Sequence, residues 1–197
     1  MRPTSGLESG VVRLELRHSS WRREFERAAR RMRGVLSVDA RIEHVGSTSV
    51  PGLMAKPIVD IAIGVPEDSV ERAVTDLRRL DYRDRGVRPE AGGRILDYLR
   101  RKRTTRHVHI VIANGDEWVR YLLFRELLRN DSAARECYAA AKVFLAARYR
   151  ADRRSYTAAK APLIDQLVAD ARQSSGARAP GEVIAQSHRR EAIAVAN

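Results

Sequence analysis

A Gly-Ser pair between two strand-like runs, and a lone carboxylate in the second run, carry the chemistry open to this chain. Gly46-Ser47 follows Ile42-Glu43-His44-Val45 and leads into Thr48-Ser49-Val50-Pro51-Gly52-Leu53, a segment able to turn helical. Such a turn leaves backbone N–H groups that can receive an anion, which makes Gly46, Ser47 and Thr48 candidate phosphate contacts. Asp60 sits in Ile58-Val59-Asp60-Ile61-Ala62-Ile63, apolar enough to be buried in a sheet, where an unpaired charge is costly. Two roles are open to it: metal ligand, or buried acid paired with Lys56, Arg94 or a histidine. Lys56, just before Pro57, is placed to reach a bound phosphate, although a lysine at a loop end is also commonly just solvated.

Three histidines add to this set. His107 and His109 share one face of a strand, and His44 precedes Gly46 by two residues. Imidazole is a poor magnesium ligand; it suits zinc, manganese or nickel, or contacts phosphate directly. If the strands are neighbours, His44, Asp60 and His109 could form a His/His/Asp site, yet their spacing is no zinc signature, and hydrogen-bonded core histidines are the competing reading. Arg94 and the run Arg100 to Arg106 would supply cations for a phosphate tail or an RNA, or else form a solvated hairpin tip; no interleaved aromatics support base stacking there. Tyr156 and Lys160, one helical turn apart, could project toward a cleft, and helix packing explains the tyrosine equally well. There is no Walker loop, Gly-x-Gly-x-x-Gly, nucleophile elbow or metal-type cysteine pair.

The elements that must position these residues follow from periodicity and breakers. Trp21, Phe25, Ala28, Ala29 and Met32 recur at helical spacing, predicting a helix over 19–33 capped by Ser19 or Ser20 and ended by Gly34. Strands are expected at 38–45 and 57–65, then a helix over 67–80 opened by Pro66, Asp68 and Ser69, and a short strand over 80–85. Residues 94–99 and 107–112 read as two further strands, with 100–106 as their hairpin connection. Asn114-Gly115-Asp116 breaks the last strand and starts a helix, and two more are expected over 132–149 and 153–172. The organisation is thus a flexible N-terminal segment (1–18), a core (19–113), a C-terminal helical part of the same domain (114–173) and a flexible tail (174–197). The fold class is α+β: a small mixed sheet with flanking helices and a helical C-terminal half.

Composition narrows the partners. The 197 residues carry 37 Lys+Arg against 25 Asp+Glu, a formal charge of +12, which favours nucleotides, CoA-like molecules or RNA, though an arginine-rich composition also fits a GC-rich coding background. The single cysteine, Cys137, rules out an internal disulfide and fits a reducing compartment. The polar start offers no secretory segment, and no apolar run reaches the roughly 18 residues of a membrane span, so a soluble, cytoplasmic protein is expected.

The blocks His44-Val45-Gly46-Ser47-Thr48-Ser49-Val50-Pro51-Gly52-Leu53 and Lys56-Pro57-Ile58-Val59-Asp60 resemble the GrpB family, as do His107-Val108-His109, Phe124-Arg125-Glu126-Leu127-Leu128 and Tyr156-Thr157-Ala158-Ala159-Lys160. The resemblance covers roughly residues 20–172. It implies a nucleotidyltransferase-like fold, in which the Gly-Ser turn holds nucleotide phosphates and an acidic strand binds divalent metal for an in-line phosphoryl displacement. Similar domains also occur fused to dephospho-CoA kinases. On that basis Asp60 is expected to bind Mg2+ or Mn2+ and to be catalytic with His109, while Gly46, Ser47, Thr48, Lys56 and Arg94 contact a nucleotide or other phosphorylated ligand; His44, His107, Tyr156 and Lys160 are additional candidates. The position two after Asp60 is Ala62, so the second carboxylate usual on that strand face is missing, with Glu43, Glu90 and Asp97 as acids that could replace it. Two alternatives stand beside the transferase: a non-catalytic module binding a nucleotide, CoA-like ligand or RNA, and a metal-dependent enzyme built on His44, Asp60 and His109.

Overall fold

In the computed structural model, residues 6–88 and 93–174 are described. Helix α1 (His18–Arg33) precedes strand β1 (Arg41–Val45), a 3-10 turn over Ser47–Ser49, strand β2 (Val59–Val65), a second 3-10 turn over Glu67–Ser69 and helix α2 (Val70–Arg78). Strands β3 (Arg83–Arg88), β4 (Gly93–Arg100) and β5 (Arg103–Ile112) follow, and then helices α3 (Asp116–Asn130), α4 (Ser132–Arg148) and α5 (Arg153–Ser174). The sheet order is β1-β2-β5-β4-β3, with β2 and β5 parallel and every other pairing antiparallel. The α+β class, small mixed sheet and helical C-terminal half are therefore as the sequence predicts.

Strand alternation sorts the side chains onto two faces. Ile61, Ile63, Val108, Ile110 and Leu96 point to one face, where Trp21, Ala28 and Met32 of α1 and Val74 and Leu77 of α2 complete the main core. Ala62 and Val111 point to the other, against Trp118, Val119 and Leu122 of α3. A third cluster joins Val50 and Leu53 of the loop before β2 to Phe124, Leu128, Tyr138 and Val168 of the C-terminal helices. The loop carrying the Gly-Ser turn is thus anchored in helical packing. Arg125, 2% exposed, locks α3 to β1 by donating to the Glu43 carboxylate at 2.7 Å and the His44 carbonyl at 3.0 Å.

Several expectations need correction. The basic run is mostly strand: β5 begins at Arg103, and the turn is Arg101-Lys102, both with positive φ. Two of its arginines are engaged within the chain, Arg106 stacking on Tyr98 and pairing with Glu24 at 3.3 Å, and Arg103 pairing with Glu8 at 2.9 Å, while Arg100 and Arg101 at the turn are exposed. Residues 6–17, expected to be flexible, form an extended strap. Leu7 exchanges two backbone hydrogen bonds with Thr104, Glu15 does so with Ala55, and Leu7 and Val12 are buried. Two or three apolar side chains and a few backbone pairings suffice to order such a segment, and neither shows as periodicity in a short stretch. Helix α1 starts after Arg17 with no side-chain cap, so neither Ser19 nor Ser20 fills that role. The anticipated tail past α5, and Glu90, lie outside the described residues. No helix among the described residues is long and apolar enough to cross a membrane.

At Gly64 of β2 the Trp118 ring of α3 lies directly against the strand. A Cβ there would lie 2.8 Å from two ring carbons of Trp118, itself fully buried. Gly64→Ala is expected to cost about 1–3 kcal/mol by overpacking, read as a lowered urea midpoint; an unchanged midpoint would show that the Trp118 ring can shift.

Candidate functional site

The face of the sheet that carries Ala62 opens into a cleft of about 470 Å³ roofed by α4 and α5. The strand register sets its floor. Asp60 of β2 is the direct partner of His107 on β5, and His107 is the partner of Asp97 on β4, so the three stand in one row across adjacent strands. His109, two residues on, shares the face. Ser47 and Thr48 enter from the turn after β1, Lys56 from the loop before β2, Lys142 from α4, and Tyr156 and Lys160 from α5.

Gly46 holds the turn against the carboxylate. Its φ is +66°, and a Cβ there would sit 2.7 Å from Asp60 Oδ2, so glycine is required both for the backbone conformation and for the approach. The carboxylate pairs with His109 Nε2 at 3.8 Å, and about a third of the Asp60 side chain remains open to the cleft. Burial works against its charge, and the contact with His109 together with His107 and Lys56 outweighs this, bringing its pKa down to about 2. Tyr121 of α3 holds the other ring nitrogen of His109, Oη to Nδ1, at 3.0 Å. His107 Nδ1 pairs with Asp97 Oδ1 at 2.6 Å, and Arg85 lies 3.7 Å from the second oxygen of Asp97. Burial would push the Asp97 carboxyl up, but the bond to His107 and the charges of Arg85 and Arg153 hold it below the usual range.

Three lysines converge on this floor. Lys142 is 2% exposed; its Nζ donates to the Met54 carbonyl and stands 5.2 Å from the Tyr138 ring centroid. Burial, with Lys160 and Lys56 nearby, lowers its pKa to about 6. Lys56 is lowered to about 8 by burial and by Lys160. Lys56 and Lys160 both lie over the Tyr156 ring, at 5.3 and 4.7 Å. The Tyr156 hydroxyl is buried with no hydrogen-bond partner among the described residues, and burial raises its pKa.

The cleft therefore gathers Ser47, Thr48, Lys56, Asp60, His107, His109, Tyr156 and Lys160, with Gly46 behind Asp60. His44 and Arg94 are elsewhere. His44 pairs with Ile61 in the sheet and so points to the opposite face, where its ring stacks on Phe25 at 4.8 Å and meets Thr48 Oγ1 at 3.0 Å. Burial takes its pKa down to about 3, leaving it a neutral core histidine, and the His44/Asp60/His109 site does not form. Arg94 also faces away, held by Asp84 and by Glu71 at 2.6 Å. Among the acids considered as replacements, Glu43 is taken by Arg125 and Asp97 reaches the cleft.

Lys142, Arg85, Arg153 and Tyr121 escaped the sequence reading. A signal for Lys142 was present: Tyr138-x-x-x-Lys142 in α4 repeats the spacing of Tyr156-x-x-x-Lys160 in α5, and both pairs make the same cation-π contact. The metal expectation meets a sparse donor set. Among the described residues no group of three His, Cys, Asp or Glu side chains is arranged to hold a metal ion, Asp97 is occupied by His107 and Arg85, and Ala62 lies buried under α3. These residues do not fit a two-metal centre.

Comparison with known proteins agrees with this organisation. The family model described as GrpB protein matches residues 11–170. A UPF0157 protein of Pseudomonas aeruginosa is 37% identical over 150 residues, covering 68% of this chain and 57% of that protein. A UPF0157 protein of Halalkalibacterium halodurans is 38% identical over 128 residues, covering 64% of this chain and 65% of that protein. The chain thus matches less than two thirds of the length of either relative. Among solved structures, the conserved protein GrpB from Enterococcus faecalis superposes with a TM-score of 0.71 at 30% identity, over 79% of this chain and 94% of that one. With the family model running from within the strap through the whole sheet to the last turns of α5, this chain belongs to the GrpB family.

Proposed function

We propose that the cleft binds a nucleoside triphosphate or a closely related phosphorylated ligand, with the phosphates held by Ser47, Lys56, Lys142 and Lys160, and that the ligand serves as a nucleotidyl donor. The observation that carries this reading is the convergence of three lysines, from a loop and two helices, around one partly open carboxylate. Burial, with the neighbouring lysines, works against the charged forms of Lys142 and Lys56, a cost that a multiply charged anion would remove. The unpartnered Tyr156 hydroxyl offers such a ligand one more hydrogen bond. The lysines, in place of a pair of metal ions, neutralise charge on the phosphates. Asp60, already paired with His109, favours the ammonium form of Lys56 through its charge. A second reading, binding without chemistry, is favoured by one observation: the strand position that would carry a second acid is Ala62, sealed under Trp118.

Calorimetric titration of nucleoside triphosphates with magnesium, with manganese and with chelator tests the assignment. Binding is expected to survive chelation and to weaken roughly tenfold or more in Lys56→Ala and Lys142→Met. Metal-dependent binding that disappears in Asp60→Ala would instead place Mg2+ or Mn2+ at that carboxylate. Absence of triphosphate binding, with binding of CoA or RNA, would move the ligand class.

Proton linkage provides an independent check. Lys142, lowered to about 6, is mostly neutral in the empty cleft at pH 7.5. The groups facing it are Lys160, Lys56 and Asp60. A phosphate among them favours the ammonium form, so binding at pH 7.5 should take up protons and its heat should vary with the ionisation enthalpy of the buffer. Lys142→Met is expected to remove most of that dependence, and buffer-independent heat in the wild type would count against a buried neutral lysine.

A further inference from the structure

A second cavity, of about 710 Å³, adjoins the donor cleft between the N-terminal strap, the β4–β5 hairpin and the start of α5. The two share one wall, formed by Arg85, Asp97, His107, Arg153 and Thr157. Arg153 ties this wall to the strap by donating to the carbonyls of Glu8 and Val11. His107 is the imidazole common to both spaces, whereas His109 lines the donor cleft alone.

The two histidines are held differently. Both ring nitrogens of His109 face partners, Tyr121 on one side and Asp60 on the other. His107 gives only Nδ1 to Asp97, and its side chain is 24% exposed. With the Asp97 carboxylate accepting at Nδ1, a singly protonated ring carries its proton there and presents a lone pair at Nε2; among the described residues nothing bonds that nitrogen. A carboxylate-oriented imidazole with an open Nε2 is the arrangement a general base requires.

We propose that the second cavity is the acceptor subsite, taking a hydroxyl-bearing phosphate ester, and that His107, positioned by Asp97, accepts the proton of the acceptor hydroxyl. Arg85 and Arg154 supply the cations that receive the acceptor's phosphate. This rests on the donor reading given above. The hydroxyl oxygen forms a bond to the α-phosphorus, its proton passes to His107 Nε2, the bond from the α-phosphorus to the bridging oxygen breaks, and pyrophosphate leaves on the lysine side. Charged groups facing His107 are Asp60 on β2, Asp97 on β4, Arg85 on β3 and Arg153 of α5.

The test measures pyrophosphate release by the full chain from a nucleoside triphosphate in magnesium buffer, with glycerol 3-phosphate or ribose 5-phosphate as acceptor probe. His107→Ala should lower kcat about 10²–10³-fold with the donor KM unchanged, and added imidazole should restore part of the rate. His107→Gln, which fills the same space, should be equally slow and guards against a folding artefact. Asp97→Asn should lower kcat while the donor KM stays constant, and Arg154→Ala should raise the acceptor KM roughly tenfold while the donor KM stays constant. Wild-type turnover in His107→Ala, no response to imidazole, or a wild type that binds triphosphate yet releases no pyrophosphate with either probe would overturn the acceptor assignment. Failure of the wild type to bind triphosphate in the calorimeter would overturn the donor reading instead, and this assignment with it.

Discussion

The contact between the bare Cα of Gly46 and the carboxylate of Asp60 is the constraint on which the cleft depends. The turn after β1 must pass close enough to β2 to place Ser47 beside the acid, and only a residue without a side chain, tolerant of positive φ, permits that approach. Downstream of this point Val50 and Leu53 reach the hydrophobic cluster of α3, α4 and α5, which fixes where the helical roof lies over the sheet. Lys142 then meets the carbonyl of Met54 in the same loop, so the roof and the Gly-Ser turn are held by one short segment. Loop, acid and cation are a single packing unit.

This arrangement explains which parts were readable in advance. Strand and helix positions were legible because the apolar residues of α1, β2 and β5 repeat with the period of their elements. Gly46, Ser47, Asp60 and Lys56 were legible because polar residues flanking an apolar strand stand out against it. Facing direction was not, since Arg94 and His44 lie on strands that line the cleft while their side chains alternate to the far face. One residue of register decides between binding site and core, and register depends on pairings made far away in the sequence.

The basic run misled for a related reason. Arg103 and Arg106 read as surface charge in sequence, yet Glu8, Glu24 and the Tyr98 ring consume them once the hairpin, strap and α1 are assembled. Lys142 shows the opposite case: it reads as an ordinary helical lysine, and its burial arises only because α4 is pressed onto the Met54 loop. Long cationic side chains take their role from what the tertiary structure places around them, which local pattern does not encode.

The strand order has a consequence for how the molecule comes to exist. β5 is the last of the described strands in sequence order and occupies the centre of the sheet, between β2 and β4. A nascent chain that has completed β1 to β4 therefore holds two separate antiparallel pairs whose inner edges are still unpaired. Joining them across the long β2-to-β5 connection carries the loop-closure entropy that slows non-local pairing. The same insertion brings His107 between Asp60 and Asp97, so sheet closure and assembly of this polar row are one event, and a partly made chain has none of the row in register.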